Sequence, residues 1–235
     1  MKKISRNVII VGASSSIGDS IVKNFYKKGD NIVATFNDNK PKSEYSSVKY
    51  KKLDLGSIYS IKAFSESNIE ELGKIDIIIF LPSILPGKSL DEYDSNLIDE
   101  VIKINFTSQV LLFKYLFKSL NKESSVLFMS SISSMRGSYD PIYAASKSAI
   151  NGFVKSLAKW AAPNSRVNAI APSLIKNSSM YFEMDEDRRE IHISESPTKT
   201  LISINHLSDI ILELCDPKWS NLNGQVININ GGKYV

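Results

Sequence analysis

Cysteine and histidine are scarce in this sequence. Its single cysteine, Cys215, excludes an intrachain disulfide. Set in IILELCD, it reads as a small core residue rather than a nucleophile. The two histidines, His192 and His206, lie far apart with no cysteine nearby, so no metal-ligand spacing exists and no metal is expected. G-x-S-x-G is absent, which leaves a Ser-His-Asp hydrolase without its nucleophile elbow. An excess of one charge is also absent: 29 Lys and Arg stand against 25 Asp and Glu, a formal net charge of +4. The basic residues are scattered, whereas a nucleic-acid groove needs them clustered. No apolar run spans a bilayer; IDIIIFLPSILPG is short and carries Asp76 and two prolines. The opening MKKISRNVIIVGAS mimics a signal peptide, but its apolar stretch is short and ends in serines, as a first strand would. These absences point to a cytoplasmic protein with no nucleic-acid or membrane partner.

The 235 residues are 43% hydrophobic and 23% charged, which fits one α/β domain over 1–235 with a real core. Short apolar runs (NVIIV, NIVATF, VKYKKL, IDIIIF, SVLFM, RVNAIAP and GQVININ) alternate with segments of helical period. Helices are predicted from about Ile17, over 57–72, through 97–120, from Ile142 to Trp160 and from Leu207 to Cys215. Continuous apolar strands separated by helices imply a parallel sheet covered on both faces, the doubly wound pattern. In such sheets ligands bind beyond the carboxyl ends of the strands. One irregular stretch, about 173–200, is long for a connection and reads as a lid or binding loop.

The first such end is VIIVGASSSIG. Gly12 ends the strand where the chain must turn sharply. Gly18 falls in the first turn of the next helix, where a missing side chain allows close packing. Ser14, Ser15 and Ser16 offer hydroxyls and N–H groups at a helix N-terminus, which suits a pyrophosphate. A plain serine-capped turn is the competing reading. Further on, YAASK places Tyr143 and Lys147 four apart on one helix face. A nearby ammonium lowers a phenol pKa and makes tyrosine a usable acid/base.

With Tyr143 and Lys147, the chain resembles the short-chain dehydrogenase/reductase family over essentially its whole length. That family's T-G-x-x-x-G-x-G lies over VGASSSIG, its D-L/V over Asp54-Leu55, and its helix-four asparagine over Asn105. RVNAIAPS and NGQVININGG resemble its R-V-N-x-I-x-P-G and G-Q-x-x-x-V-D-G-G. The resemblance implies a Rossmann fold of about seven strands flanked by helices. It implies a proton moved by Tyr143, a carbonyl oxygen held by Ser131, a ribose held by Tyr143 and Lys147, and a Lys147-linked water supported by Asn105. The family spacing taken alone gives Ser130; anchoring on Gly137 and on the second serine of the pair gives Ser131, which is preferred. Cofactor contacts are expected at Gly12, Ser14, Ser15, Ser16, Ile17, Gly18, Asn37, Asp54, Leu55, Leu81, Pro82, Tyr143, Lys147, Pro172, Ser173, Ile175 and Asn177.

Four departures stand out. Ser16 replaces the second motif glycine, and Val11 the threonine. Phe80-Leu81-Pro82-Ser83 replaces N-N-A-G, losing side chains that tie strand ends together and, at Pro82, a backbone donor. Ser173 replaces the glycine after Pro172, and Asn177 stands for a threonine. No carboxylate ends the second strand, where Phe36 stands; Asn37 or Lys40 can meet a phosphate, so NADP is expected over NAD. In the lid stretch Met180, Tyr181, Phe182 and Met184 either close on an apolar substrate or pack on the core. Lys and Arg at its rim either meet an acidic carrier or a phosphorylated substrate or form a solvated charged face.

Overall length and motifs resemble the 3-oxoacyl-carrier-protein reductase-like branch. The expected activity is reversible hydride transfer between a nicotinamide and a small-molecule or carrier-bound carbonyl. The alternative is a nucleotide-sensing or scaffold protein that has lost catalysis. An epimerase would need a larger substrate domain. The resemblance also implies a homodimer or homotetramer through the helices bearing Asn105 and Tyr143.

Overall fold

The computed structural model describes residues 5–41 and 43–235. Seven strands form one parallel sheet: β1 (Asn7–Val11), β2 (Asn31–Phe36), β3 (Val48–Lys52), β4 (Ile75–Phe80), β5 (Leu120–Met129), β6 (Ser165–Pro172) and β9 (Val226–Ile229). Two further strands, β7 (Ile175–Lys176) and β8 (Ile202–Ser203), pair only with each other. The sheet order is β3-β2-β1-β4-β5-β6-β9. Winding therefore reverses between β1 and β4, and the crevice opens beyond their carboxyl ends.

Alternation along each strand builds two cores. Val8, Ile10, Ile77 and Ile79 face one side, with α1 (Ser16–Lys28) and α9 (Ile204–Leu214) packed over them through Ile21, Phe25, Leu207 and Ile211. Ile9, Val11, Ile78 and Phe80 face the other, under α2 (Ile58–Leu72), α4 (Ser108–Leu116) and α6 (Pro141–Ala161). There Phe80 and Phe128 stack with ring centres 4.5 Å apart. Both sides are buried, which is why the strands read as unbroken apolar runs.

The helix predicted through 97–120 is interrupted. It divides into α3 (Ser95–Ile102), a π turn over Lys103–Thr107, α4 and a short 3₁₀ turn at Phe117–Ser119. A π turn carries an extra residue, and here it places Asn105. The stretch about 173–200 is more regular than expected: it contains α7 (Ser179–Glu183) and α8 (Glu186–Ser194). Short helix α5 (Ser133–Arg136) follows β5. Helix α9 begins a turn earlier than Leu207, capped by Ser203. Among the described residues no helix is long and apolar enough to cross a membrane, and no cluster of His, Cys, Asp and Glu is arranged to hold a metal.

Candidate active site

A cleft of about 1450 Å³ lies at the carboxyl edge of the sheet. One wall is the loop from Gly12 to Gly18. Gly12 has φ +88°, where a side chain would be strained and would meet Pro82 Cγ at 3.0 Å. A Cβ on Gly18 would stand 2.5 Å from the Gly12 carbonyl and 2.6 Å from Ala13 Cα, so any side chain would push the loop into the cleft. Ser15 caps α1, its hydroxyl accepting from Gly18 N–H at 3.0 Å. Ser14 and Ser16 line the cleft, and their hydroxyls enter no hydrogen bond among the described residues. A serine at 16 is accommodated because its side chain is exposed.

The loop after β4, which lacks the N-N-A-G asparagines, is held by side chains from the elements behind it. Asn105 is fully buried; its Oδ1 accepts from Ile84 N–H at 2.8 Å, and its Nδ2 donates to Ile84 O at 2.9 Å and Ser146 Oγ at 3.0 Å. Gln109 Nε2 donates to Pro82 O at 2.8 Å. The Pro82–Ile84 segment is therefore fixed from behind.

Tyr143 and Lys147 project from one face of α6, 6% and 1% exposed. Lys147 Nζ donates to Met129 O at 2.8 Å and lies 5.7 Å from the Tyr143 ring centre. Burial, with no anion beside it, pushes the Lys147 ammonium down to about 7. Burial likewise raises the Tyr143 pKa; the Ser131 and Ser83 hydroxyls act against that rise and Asp140 adds to it. The lowering expected from Lys147 is not seen: burial sets the direction, and the groups that oppose it are the two serine hydroxyls. A phenol that holds its proton at neutral pH suits an acid. The two candidate serines separate. Ser130 turns into α6, donating to Asn151 Oδ1 at 2.7 Å, while Ser131 stands at the phenol and accepts from Ser133 N–H at 3.1 Å.

The structure brings most of the predicted residues onto the cleft: Ser14 to Ile17 and Gly12, Asn37, Asp54, Leu55, Leu81, Pro82, Ser131, Tyr143, Lys147, Pro172, Ser173 and Ile175. Three do not line it. Gly18 and Asn105 sit behind it, and Asn177 is exposed at φ +65°. Met180 and Met184 reach the cleft; Tyr181 instead lies under Arg189, at 4.6 Å, and Phe182 is exposed.

Sequence reasoning missed Ser83 and Asp140. Asp140 is 1% exposed and caps α6, accepting from Tyr143 N–H at 2.8 Å. It also accepts from Tyr93 Oη at 2.7 Å and Gly87 N–H at 2.9 Å. The signal was present in YDPIY: Asp before Pro opens a helix.

The family model described as Enoyl-(Acyl carrier protein) reductase matches residues 12–233. The chain is 28% identical over 243 residues to the 3-oxoacyl-[acyl-carrier-protein] reductase FabG of Buchnera aphidicola subsp. Acyrthosiphon pisum, covering 98% of each. It is 26% identical to the uncharacterized oxidoreductase YmfI of Bacillus subtilis, covering 97% of this chain and 99% of that one. Among solved structures it superposes on a short-chain dehydrogenase/reductase, titled glucose/ribitol dehydrogenase, from Brucella melitensis. The TM-score is 0.91 at 26% identity, covering 99% and 98% of the two chains. Parallel sheet, glycine loop, Tyr143-Lys147 pair and these matches agree: the chain belongs to the short-chain dehydrogenase/reductase family of NAD(P)-dependent oxidoreductases, in its 3-oxoacyl-carrier-protein reductase-like branch.

Proposed function

We propose that this protein reduces a ketone or 3-oxoacyl-type carbonyl, small or carrier-bound, to the alcohol and takes NADP in preference to NAD. The observation that carries the reading is the convergence of Ser131, Tyr143 and Lys147 on one cleft wall opposite a loop that only glycine at 12 and 18 permits.

That loop fits a dinucleotide. The α1 N-terminus and the free Ser14 and Ser16 hydroxyls hold the pyrophosphate. Asp54 and Leu55 meet the adenine, with Leu81 and Pro82 as the adjoining wall. Tyr143 and Lys147 hold the nicotinamide ribose, and Pro172, Ser173 and Ile175 back the ring. Asn177, outside the cleft wall, is given no contact. When bound, the nicotinamide supplies the hydride.

Ser131 and Tyr143 hydrogen-bond the carbonyl oxygen, where negative charge grows. Tyr143 Oη then gives up its proton to that oxygen. Lys147, buried and free of a carboxylate partner, stabilises the phenolate that remains. Asn105 and Gln109 act as positioning residues, fixing the loop that carries Ser83. A nucleotide-sensing role without catalysis has no observation in its favour.

Cofactor choice rests on the rim at the end of β2. Asn37, Asp38 and Asn39 line it, and Phe36 leaves no carboxylate at the strand end itself. The Asp38 side chain is 80% exposed and has Lys52 Nζ at 3.9 Å, which offsets its charge. Lys40 and Lys52 both lie off the cleft wall, and Lys52, held beside the rim residue Asp38, is the cation we assign to a 2′-phosphate. Fluorescence titration should give a dissociation constant for NADPH at least about fivefold below that for NADH, the effect of one contact of about 1 kcal/mol. Equal or reversed constants remove the preference. Turnover of NADPH with a panel of ketones and 3-oxoacyl thioesters tests the activity itself, and a folded protein that reduces none of them overturns it.

We also propose self-assembly through the faces of α4 and α6. Trp160 there is 63% exposed, with its ring centre 4.2 Å from that of Phe117, an aromatic patch suited to a second copy. Sizing chromatography should show a dimer or tetramer; a monomer at all concentrations contradicts it.

A further inference from the structure

We propose that the end of the cleft beneath α7 and α8 is an anion site, in which Arg136, Arg188 and His192 hold a carboxylate or phosphate carried by the carbonyl substrate. The inference rests on the oxidoreductase reading above and names the class of substrate it takes.

The sequence contains five arginines. Three are committed to the fold. Arg6 pairs with Asp30 at 2.7 Å. Arg166 donates to the carbonyls of Leu222, Leu214 and Asp216. Arg189 donates to Tyr181 O at 2.7 Å. The remaining two, Arg136 and Arg188, both line the cleft. Neither guanidinium makes a hydrogen bond or ion pair among the described residues; only their backbone N–H groups are engaged. Arg136 ends α5, five residues after Ser131, and lines the same cleft as Ser131 and Tyr143. Arg188 comes from α8 and lines the same cleft.

His192 stands four residues after Arg188 on the same helix face and lines the same wall. Its Nδ1 is 3.0 Å from Lys233 Nζ. The Lys233 side chain is 4% exposed and pairs with Glu195 at 2.5 Å. An ammonium can only donate, so Nδ1 accepts and the imidazole proton sits on Nε2. Burial, then the charges of Lys233, Arg136 and Arg188 against that of Glu195, push His192 down to about 4. At neutral pH it is therefore an uncharged ring with its Nε2–H donor fixed by a lysine behind it.

Two unpaired guanidiniums beside an oriented N–H form a fork suited to an oxyanion. The same cations repel one another when no anion is present. Glu183 is the one carboxylate from 173–200 on the cleft wall, so that lid contributes a net excess of donors. The remaining alternative, two solvated rim arginines, makes the opposite forecast below.

The experiment pairs carbonyls with and without the anionic group: acetoacetate with its methyl ester, and dihydroxyacetone phosphate with dihydroxyacetone, each with NADPH. The charged member of at least one pair should show a kcat/KM about tenfold or more above its neutral partner, as expected for a hydrogen bond to a charged group. Which pair responds identifies carboxylate or phosphate. Arg136→Gln and Arg188→Gln should each lower kcat/KM for the charged member about tenfold, through KM, and leave the neutral member within about twofold. Both side chains are exposed, so these variants should fold. Neutral members reduced as well as charged ones, or variants that lower both alike, overturn the site.

A second readout does not need turnover. Calorimetric titration with succinate and with inorganic phosphate should show binding of one of them, weakened about tenfold in each variant. If that binding is seen while no carbonyl is reduced, the anion site stands and the oxidoreductase reading falls. If neither anion binds, or binding is the same in the variants, the anion site falls whatever the activity.

Discussion

Replacing Tyr143 by Phe is expected to lower kcat for carbonyl reduction by roughly a hundred- to ten-thousand-fold, the usual range for a positioned acid. The substitution removes one oxygen and no packing volume from a residue that is 6% exposed, so the fold should persist. The Ser131 hydroxyl remains beside the site and can still hold the carbonyl oxygen, but no group with a suitable proton is left. Lys147 does not replace it, because its Nζ is held back against Met129 O at 2.8 Å, 5.7 Å from the Tyr143 ring centre. The NADPH dissociation constant should change by less than about threefold, since the Gly12–Gly18 loop and α1 are untouched; about 0.7 kcal/mol is all that one peripheral contact gives up. Steady-state rates with nucleotide titrations on the same preparation check both parts. A variant that keeps a tenth of the activity removes Tyr143 from the proton transfer.

The second large effect is on stability. Asp140→Ala should destabilise the protein by about 3 kcal/mol: about 1 kcal/mol for the lost cap of α6, and the remainder for the Tyr93 hydroxyl and the Gly87 N–H left without their acceptor. For a chain of this size that is a fall in Tm of roughly 6–12 °C. Asp140→Asn keeps an oxygen acceptor at the cap and should recover most of the loss. Thermal unfolding followed by circular dichroism measures both. A fall below about 2 °C for the alanine variant, read by the same scale, would mean that the bonds from Tyr93, Gly87 and Tyr143 contribute little. The same aspartate aligns the first turn of α6, which bears Tyr143, with the 86–88 loop. Activity of Asp140→Ala below its melting range should therefore fall as well.

Much of the framework was legible in the sequence because local pattern and tertiary role coincide. NVIIV and IDIIIF are apolar on both faces because each strand end feeds two cores. Tyr143 and Lys147 share a face by helix geometry alone. Counting alone points to Ser130 and the Gly137 anchor to Ser131; in the structure Ser130 finds Asn151 on α6 while Ser131 stands at the phenol. The π turn at Lys103–Thr107 leaves no trace in KINFT, whose spacing looks regularly helical. Asn105, a motif residue, and Gln109, which no motif announces, hold the loop after β4 from a different element, a contact across space that a linear motif cannot show. Arg136, Arg188 and His192 come from α5 and α8, and Lys233 from the chain end; nothing in their spacing announces that they meet. Asp38 stands two residues beyond the end of β2, and residues 37–39 all line the cleft rim.

The most direct test of the central claim is label transfer. NADPH deuterated at the reactive nicotinamide carbon is incubated with the protein and an accepted carbonyl, and the alcohol is analysed by mass spectrometry. The account predicts one deuterium on the carbinol carbon with wild-type protein and almost none with Tyr143→Phe. Folded protein that binds NADPH yet transfers no label to any carbonyl, or Tyr143→Phe that transfers as much as wild type, would contradict it.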